Sequence, residues 1–288
     1  ASKRTCEREG TKEGRARTSR VLISSDDMAD VRACEQAIYN EHCTRTAKIA
    51  GQKGIRLLLS RAYTSYMDEI RPLLDQYDAA VREFARLKYP AIYANAKSDM
   101  GDLFNPKDFP HPDEIRTKFK SEVKVVRLAS HDHLSLDGVP EEILQRIHED
   151  GKAEERHMAV IAAQDAYKRL SDKLWDTASR LKNYDRNAKG KTNKLFKTML
   201  PQLHAIAEAM DGINIFDDYN IKAVAETIKS RIAHLDLEEL KSDDYLRQEK
   251  AAEVEQLART TDRVLEDIGP EDLDDAINSW FPENQEAV

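Results

Sequence analysis

The amino-acid sequence predicts a mainly α protein, with a long antiparallel helical hairpin that resembles a coiled coil, a small β hairpin and a C-terminal helical cluster. Three observations predict this class. Between residues 63 and 89, apolar side chains recur at alternating steps of four and three, the spacing of a helix that packs lengthwise on another helix. The 288 residues include only 10 Gly and 9 Pro, so the elements should be few and long. With 40% hydrophobic and 34% charged residues, the chain suits long helices that have one buried face.

Residues 1–22 are predicted to be a flexible basic arm, because they carry seven basic and three acidic side chains and offer almost nothing to bury. A helix is expected next, with Ser24 or Ser25 as its N-cap, and it should run to about Lys48. Residues 55–59 then form a short apolar run that fits either a buried turn or a brief strand.

Residues 23–186 contain the predicted helical hairpin, and its first long helix should run from Tyr63 to Tyr89. Pro72 removes one backbone hydrogen bond and is expected to kink the axis, because the apolar spacing continues through it. Tyr89-Pro90 should end the helix, since the residue before a proline disfavours helical backbone angles. The predicted packing seam of this helix consists of Tyr66, Ile70, Leu73, Tyr77, Ala80, Phe84 and Leu87.

A β hairpin is predicted near residues 121–137, from two short β-prone runs that flank a polar turn. Two strands alone are marginally stable, so the hairpin should pack on helices. The second long helix is predicted to open at Pro140 and to reach Tyr184, and Gly151 either divides it or lies within it. We expect this helix to be the antiparallel partner of the first long helix.

Residues 187–281 are predicted to form the C-terminal helical cluster, and residues 282–288 a frayed tail. Asp211-Gly212 should stop the first helix of the cluster, and Asp217 or Asp218 should cap the next one. Further helices are expected over about 243–268 and 271–280. The stretch from residue 236 to the end carries seventeen acidic and five basic side chains, so this end should repel nucleic acid.

Cysteine usage and hydropathy indicate a cytoplasmic protein. No run of about 18 apolar residues occurs, which predicts no contact with a membrane interior. The first 20 residues lack the apolar stretch of a secretory signal. Cys6, Cys34 and Cys43 are odd in number and have no CxxC spacing, so we expect free thiols.

The segment 180–197 is the candidate for contact with phosphate or nucleic acid. Its seven cations oppose one acid, and Tyr184 and Phe196 lie between them. Cations beside rings that stack on bases are what binding of a single strand requires. A solvated, lysine-rich linker is the alternative. The basic side chains are Arg180, Lys182, Arg186, Lys189, Lys191, Lys194 and Lys197.

Motifs for catalysis, nucleotides and metals are incomplete. Gly190-Lys191-Thr192 lacks the glycine that a phosphate loop requires five positions earlier. Glu154 and His157 have the spacing of a di-iron helix pair, but no second pair exists. His131 and His133 alone are too few for a closed zinc site. We therefore predict no catalytic residue, no cofactor and no metal site.

A set of structural motifs between about residues 28 and 268 carries a resemblance. They are Tyr66-Met67-x-x-Ile70, Asp78-Ala79-Ala80-Val81-x-x-Phe84, Tyr89-Pro90, Gly101-Asp102-Leu103-Phe104, Phe109-Pro110-x-Pro112-x-Glu114-Ile115, Lys118-Phe119 and Asn214-Ile215-x-Asp217-Asp218. In these the chain resembles an uncharacterised family of phage and prophage proteins, known as a domain of unknown function. The resemblance implies a phage origin, and it implies neighbouring genes for MoxR-type AAA+ ATPases and von Willebrand factor A-like proteins. It carries over no active site.

Together these observations predict a non-enzymatic phage interaction or adaptor protein that acts through helical surfaces, with an AAA+ ATPase as the partner that the resemblance implies. A long apolar seam also fits a homo-oligomer. One alternative is a nucleic-acid-binding protein that uses the segment 180–197. A second alternative is a structural component of the virion, so the expected location is the host cytoplasm or the virion.

Overall fold

The structure is a computed structural model that describes residues 10, 12, 21–49, 54–126, 140–187 and 194–268. The mainly α class is confirmed, because most of these residues are helical. The chain divides into two compact units. Unit 1 comprises Ala1–Glu41 and Asp68–Val125, and unit 2 comprises His42–Met67 and Val126–Val288. The predicted arm lies almost wholly outside the described residues, and the helix at 271–280 and the tail lie outside them.

Three helices supply most of unit 1. They are most of α1 (Ala29–Arg45), most of α2 (Tyr63–Glu83) and α3 (Tyr89–Met100), and a π-helical turn (Phe84–Lys88) connects α2 to α3. Ser24, a predicted cap, accepts a hydrogen bond from the Asp27 N–H at 3.1 Å, one turn before α1. The buried residues of unit 1 include a cluster of Val31, Val81, Phe84, Tyr89 and Ile115.

The π-helical turn changes which side chains of the predicted seam are buried. A π turn holds more residues than an α turn, so it rotates every following side chain about the helix axis. Leu87, predicted in the seam, is therefore 57% exposed, and Tyr89 enters the core instead. The helical path also continues through Tyr89-Pro90, where the sequence predicted its end, because the proline lies in the first turn of α3. Of the other seam residues, Tyr66, Ile70 and Phe84 are buried, and Leu73, Tyr77 and Ala80 are half-buried.

Unit 2 contains five helices and a two-stranded hairpin in its described part. The helices are α4 (Glu141–Lys182), α5 (Met199–Ile213), α6 (Tyr219–Thr227) with a π-helical turn (Ile228–Ile232), α7 (Leu237–Ser242) and α8 (Asp244–Asp267). Strands β1 (Ala47–Lys48) and β2 (Arg56–Leu57) pair antiparallel. The brief strand that residues 55–59 allowed is thus present. Of the hairpin predicted near 121–137, residues 121–126 have no regular structure, and 127–137 lie outside the described residues.

The long antiparallel helix pair of the protein is α4 with α8. Ser171 of α4 contacts Asp262 of α8, and Lys182 of α4 contacts Gln248 of α8, so the two helices run in opposite directions. The predicted partner of α4 was the helix from Tyr63, most of which belongs to unit 1. Gly151 lies within α4 and does not divide it. The buried side chains of α8 at this contact are Arg247, Ala251, Val254, Ala258, Thr261 and Val264.

The core of unit 2 is shared by α4 to α8. Alanines dominate the middle of α4, where Ala159, Ala162, Ala163 and Ala166 are buried, and larger side chains such as Leu170 and Leu174 follow. Small side chains leave room for neighbouring elements to approach the helix axis closely. Helix α5 ends at Ile213, one residue after the predicted stop at Asp211-Gly212.

Candidate functional site

The basic segment 180–197 is partly tied into the fold. The Arg180 guanidinium donates to both carboxylate oxygens of Asp176, at 2.8 and 2.9 Å, and lies over the Phe196 ring at 5.3 Å. The Lys182 ammonium lies 3.7 Å from the Glu255 carboxylate. These two cations therefore have partners within the protein, which lowers what they could contribute to binding phosphate.

The rings of this segment are likewise engaged. The Arg247 guanidinium lies over the Tyr184 ring at 5.0 Å. Arg180 covers the Phe196 ring in the same way. Each of the two rings that were predicted to stack on bases therefore already has a cation on one face. Arg186 and Lys197 are exposed and Lys194 is half-buried, and Lys189 and Lys191 lie outside the described residues.

Two half-buried arginines cap the C-terminal end of α1, and sequence reasoning missed them. Arg56 donates to the carbonyls of Cys43 and Thr46, at 3.2 and 2.6 Å. Arg169 of α4 donates to the Cys43 carbonyl and, at 3.0 Å, to the Thr46 carbonyl. The last carbonyls of a helix lack partners within it and carry its partial negative charge, so cations are favourable there.

Asp165 balances the charge of these two arginines. Its carboxylate lies 3.2 Å from Arg169 and 3.7 Å from Arg56, and it accepts a hydrogen bond from the Lys48 N–H at 3.0 Å. Burial lowers the pKa of the Arg169 guanidinium, and the Asp165 charge opposes that shift. Taken together, these contacts connect the end of α1, β1 and β2 to α4, so the cluster helps to hold unit 2 together.

His42 is a half-buried titratable group in the same part of unit 2. Its Nδ1 lies 2.8 Å from the Tyr66 hydroxyl, and the two rings meet edge to face. Burial is the larger cause that lowers the pKa of His42, and the Arg56 charge lowers it further. The neutral imidazole is therefore favoured in the folded protein.

The motif Asn214-Ile215-x-Asp217-Asp218 forms a second polar cluster. Asn214 is buried, accepts a hydrogen bond from the Tyr167 hydroxyl and donates to the Asp218 carbonyl at 3.0 Å. Asp218 caps α6 by accepting from the Ile221 N–H at 2.9 Å, as predicted for one of the two aspartates. Burial raises the pKa of Tyr167. The motif thus fixes the turn between α5 and α6 and leaves no buried acid or base unpartnered there.

Asp217 of this motif has a left-handed backbone, with φ at 54°. An aspartate tolerates this conformation better than most residues, because its short side chain bonds locally. The Arg61 guanidinium forms an ion pair with the Asp217 carboxylate at 3.1 Å. The hydrogen bond from Lys222 is the largest cause that lowers the pKa of Asp217.

A third polar contact lies between α4 and α8. The Asp262 carboxylate accepts hydrogen bonds from the Ser171 hydroxyl and, at 2.8 Å, from the Trp175 indole N–H. The Arg259 guanidinium lies over the Trp175 ring at 5.8 Å. These bonds fix the register of the two helices.

The candidate metal ligands and the thiols can be placed where they lie in the described part of the chain. Among the described residues, no group of three or more His, Cys, Asp or Glu side chains is placed to hold a metal ion. Glu154 and His157 are both exposed, and His131 and His133 lie outside the described residues. Cys34 and Cys43 are free thiols.

Unit 1 has a small cleft between α1 and the end of α2. The Lys88 ammonium bonds the Asp30 carboxylate at 2.8 Å inside it. The cleft is lined by Asp27, Asp30, Val31, Ala80, Glu83, Phe84 and Lys88.

No family model, curated protein or solved structure matches the chain. The phage resemblance therefore stays a prediction. None of the helices in the described part of the chain combines the length and the apolar character that crossing a bilayer requires.

Proposed function

We propose that this protein is a non-enzymatic interaction protein that acts as an adaptor through its helical surfaces. The observation that carries the proposal is the exposure of two tyrosines at the starts of helices in unit 2. Tyr219 is 79% exposed on α6, and Tyr245 is 81% exposed on α8. Tyrosines are concentrated at the energetically important positions of protein interfaces, because a ring buries a large area with little loss of side-chain entropy.

The polar clusters of unit 2 support the non-enzymatic part of the proposal. The arginines at the end of α1 bond backbone carbonyls, and Asp262 and Asn214 bond neighbouring side chains. A catalytic acid, base or nucleophile needs an atom that faces its substrate. These groups instead face the interior contacts that hold the helices together.

The resemblance to phage proteins supports a phage partner, and an AAA+ ATPase is the first candidate. Affinity capture from phage-infected cells, followed by mass spectrometry, is the test. We expect an ATPase to be recovered, and we expect Tyr219→Ala with Tyr245→Ala to lower its recovery. Tyr39→Ala is the matched control, because Tyr39 is another exposed tyrosine, on α1. Equal recovery with the double variant would contradict the proposal, and recovery of capsid or tail proteins would favour the virion alternative.

Binding of a second copy of the chain is part of the same proposal. Light scattering of the purified protein across a range of concentrations distinguishes a monomer from a homo-oligomer. A mass that rises with concentration, and falls in the Tyr219→Ala, Tyr245→Ala variant, would assign these tyrosines to self-association.

Nucleic-acid binding by the segment 180–197 is the second proposal, and the exposed Arg186 and Lys197 support it. The test is a salt-dependent gel shift with single-stranded DNA. Arg186→Glu with Lys197→Glu should abolish the shift, because each substitution reverses a cation that would neutralise a phosphate. Arg71→Glu with Lys107→Glu, at exposed positions in unit 1, makes the same change in net charge elsewhere. A shift that survives the first pair contradicts this site.

A further inference from the structure

One side of the first half of α4 carries a stripe of buried and half-buried residues. Within residues 144–158, Gly151 and Glu155 are buried, and Glu155 is only 7% exposed. With the exception of Arg156, every buried or half-buried position in this range falls within a sector of about 100° around the helix axis. A stripe this narrow indicates that α4 packs on another element along it. Its members are Leu144, Ile147, His148, Gly151, Glu155 and Met158.

The stripe lies beyond the end of α8, the helix that packs on the second half of α4. Because Ser171 contacts Asp262, the last residue of α8, Asp267, lies opposite about residue 166 of α4. Met158 is about 12 Å further along α4, and Leu144 is about 33 Å further, at a rise of about 1.5 Å per residue. Since Glu155 is nevertheless buried within a single chain, a segment other than α8 covers the stripe.

The chain that follows α8 has the length to be that segment. Ile268, Gly269 and Pro270 precede the predicted helix, and three extended residues span about 10 Å. A helix over residues 271–281 is about 16 Å long. If this helix continued antiparallel to α4, it would lie beside about residues 148–159, which include Gly151 and Glu155.

Residues 271–281 also have the pattern that such a contact needs. Leu273, Ile277 and Trp280 recur at steps of four and three, and Ala276 lies beside them, so all four share one side of a helix. A short helix with one apolar side is stable when that side is packed on another element. The four acids fall outside this side, and they are Glu271, Asp272, Asp274 and Asp275.

We propose that residues 271–281 dock as a helix along the stripe of α4 in the same chain. The apolar side with Leu273, Ile277 and Trp280 packs on the stripe, and the acids face solvent. At this register Trp280, the largest side chain of the segment, lies beside Gly151, where the missing side chain leaves room for an indole ring. While the segment is bound, this face of α4 is closed to a partner protein. The inference is independent of the adaptor proposal, because it involves neither of the tyrosines on which that proposal depends.

Tryptophan fluorescence tests the docking, because the chain has two tryptophans, Trp175 and Trp280. Trp175→Phe leaves Trp280 as the single fluorophore. We expect its emission to be blue-shifted from its emission in urea, and its quenching by acrylamide to be weaker, since the docked ring is shielded from water. The difference spectrum between the wild type and Trp280→Phe gives the same emission with the bond between Trp175 and Asp262 intact.

A charge placed on either side of the contact should release the ring of Trp280. Met158→Glu, in the stripe, should shift the emission towards its value in urea, and Ala153→Glu, at an exposed position of α4, should leave it unchanged. Ile277→Glu should likewise release the ring, and Asn278→Glu, outside the apolar side of the segment, should not. Each variant adds one negative charge. If circular dichroism shows that Met158→Glu does not fold, the second pair still tests the contact, because Ile277 follows the helices that form the core of unit 2.

Three results would overturn the docking. The first is emission of Trp280 in the native protein that equals its emission in urea. The second is an equal effect of Met158→Glu and Ala153→Glu, or of the second pair. The third is emission that shifts towards its urea value on dilution, because it would assign the stripe to the segment of a second copy, whereas docking within one chain predicts emission that is independent of protein concentration. None of these results changes what affinity capture with the tyrosine variants measures, so failure of the docking is distinguishable from failure of the adaptor proposal.

Discussion

Gly212 is the position where a single methyl group should disturb unit 2 most directly. It lies in the last turn of α5, and its carbonyl accepts a hydrogen bond from the Leu59 N–H at 3.0 Å. A Cβ atom on Gly212 would lie 2.7 Å from the Ala62 Cβ and 3.0 Å from the Leu58 Cδ1. Two methyl carbons pack at about 3.5–4.0 Å, so Gly212→Ala requires the segment before α2 to move away.

The magnitude follows from two opposing effects. Overpacking of this kind costs about 1–3 kcal/mol. Alanine in place of glycine in a helix returns at most about 1 kcal/mol through its helix propensity. We therefore expect Gly212→Ala to lower the free energy of unfolding by about 1–2 kcal/mol, which urea denaturation followed by far-UV circular dichroism measures directly.

A double-mutant cycle tests the cause of this loss. Ala62→Gly removes the methyl group that the new Cβ would meet, so Gly212→Ala should be less harmful in the Ala62→Gly background than in the wild type. The coupling energy should be about 1 kcal/mol or more, because the two positions are in direct contact. A neutral or stabilising Gly212→Ala, or two changes that simply add, would refute the close approach of these segments.

Three further predictions follow from other contacts. The pKa of His42 is lowered in the folded protein, so as the pH falls below the ordinary value of 6.5 the unfolded chain binds a proton first. The free energy of unfolding should therefore decrease as the pH falls. His42→Gln should remove that part of the pH dependence in urea titrations. Asp262→Ala leaves the Trp175 indole N–H without its acceptor and should cost about 1–3 kcal/mol in the same urea assay, whereas Asp262→Asn, which keeps an acceptor oxygen, should cost less. Leu87→Gln should stay within about 0.5 kcal/mol of the wild type in thermal unfolding, and Phe84→Ala should cost about 3–5 kcal/mol, because only Phe84 is buried.

The sequence predicted the elements of unit 1 better than their junction. The seam positions up to Phe84 are buried or half-buried because one face of α2 repeats regularly, and such periodicity is visible in the sequence. Leu87 escaped the prediction because a π-helical turn leaves no periodic signal of its own. Its one local indication is Pro90, whose missing N–H removes an α-helical hydrogen bond just where the wider turn occurs.

In the candidate sites, too, contacts between residues close in the sequence were predictable and contacts between distant residues were not. The cap by Asp218 was predictable, because capping depends on residues within one turn of each other. The cap at the end of α1 was not, because Arg169 lies more than a hundred residues from the carbonyls that it bonds. The inward position of Arg247 and Lys250 was likewise invisible, so the sequence indicated the net charge of the acidic end but not which charges face solvent.

The partner of α4 was beyond sequence reasoning for an energetic reason. Large apolar residues such as Leu170 and Leu174 of α4 mark a buried face clearly, but the buried face of α8 also includes the small residues Ala251 and Ala258. Alanine is common on exposed helical faces as well as buried ones, so its position in the sequence does not show which face of a helix is buried. Its contribution comes from how closely two backbones approach, which depends on both helices at once. Two long helices can therefore each be recognised in the sequence, while their pairing depends in part on residues that carry almost no signal.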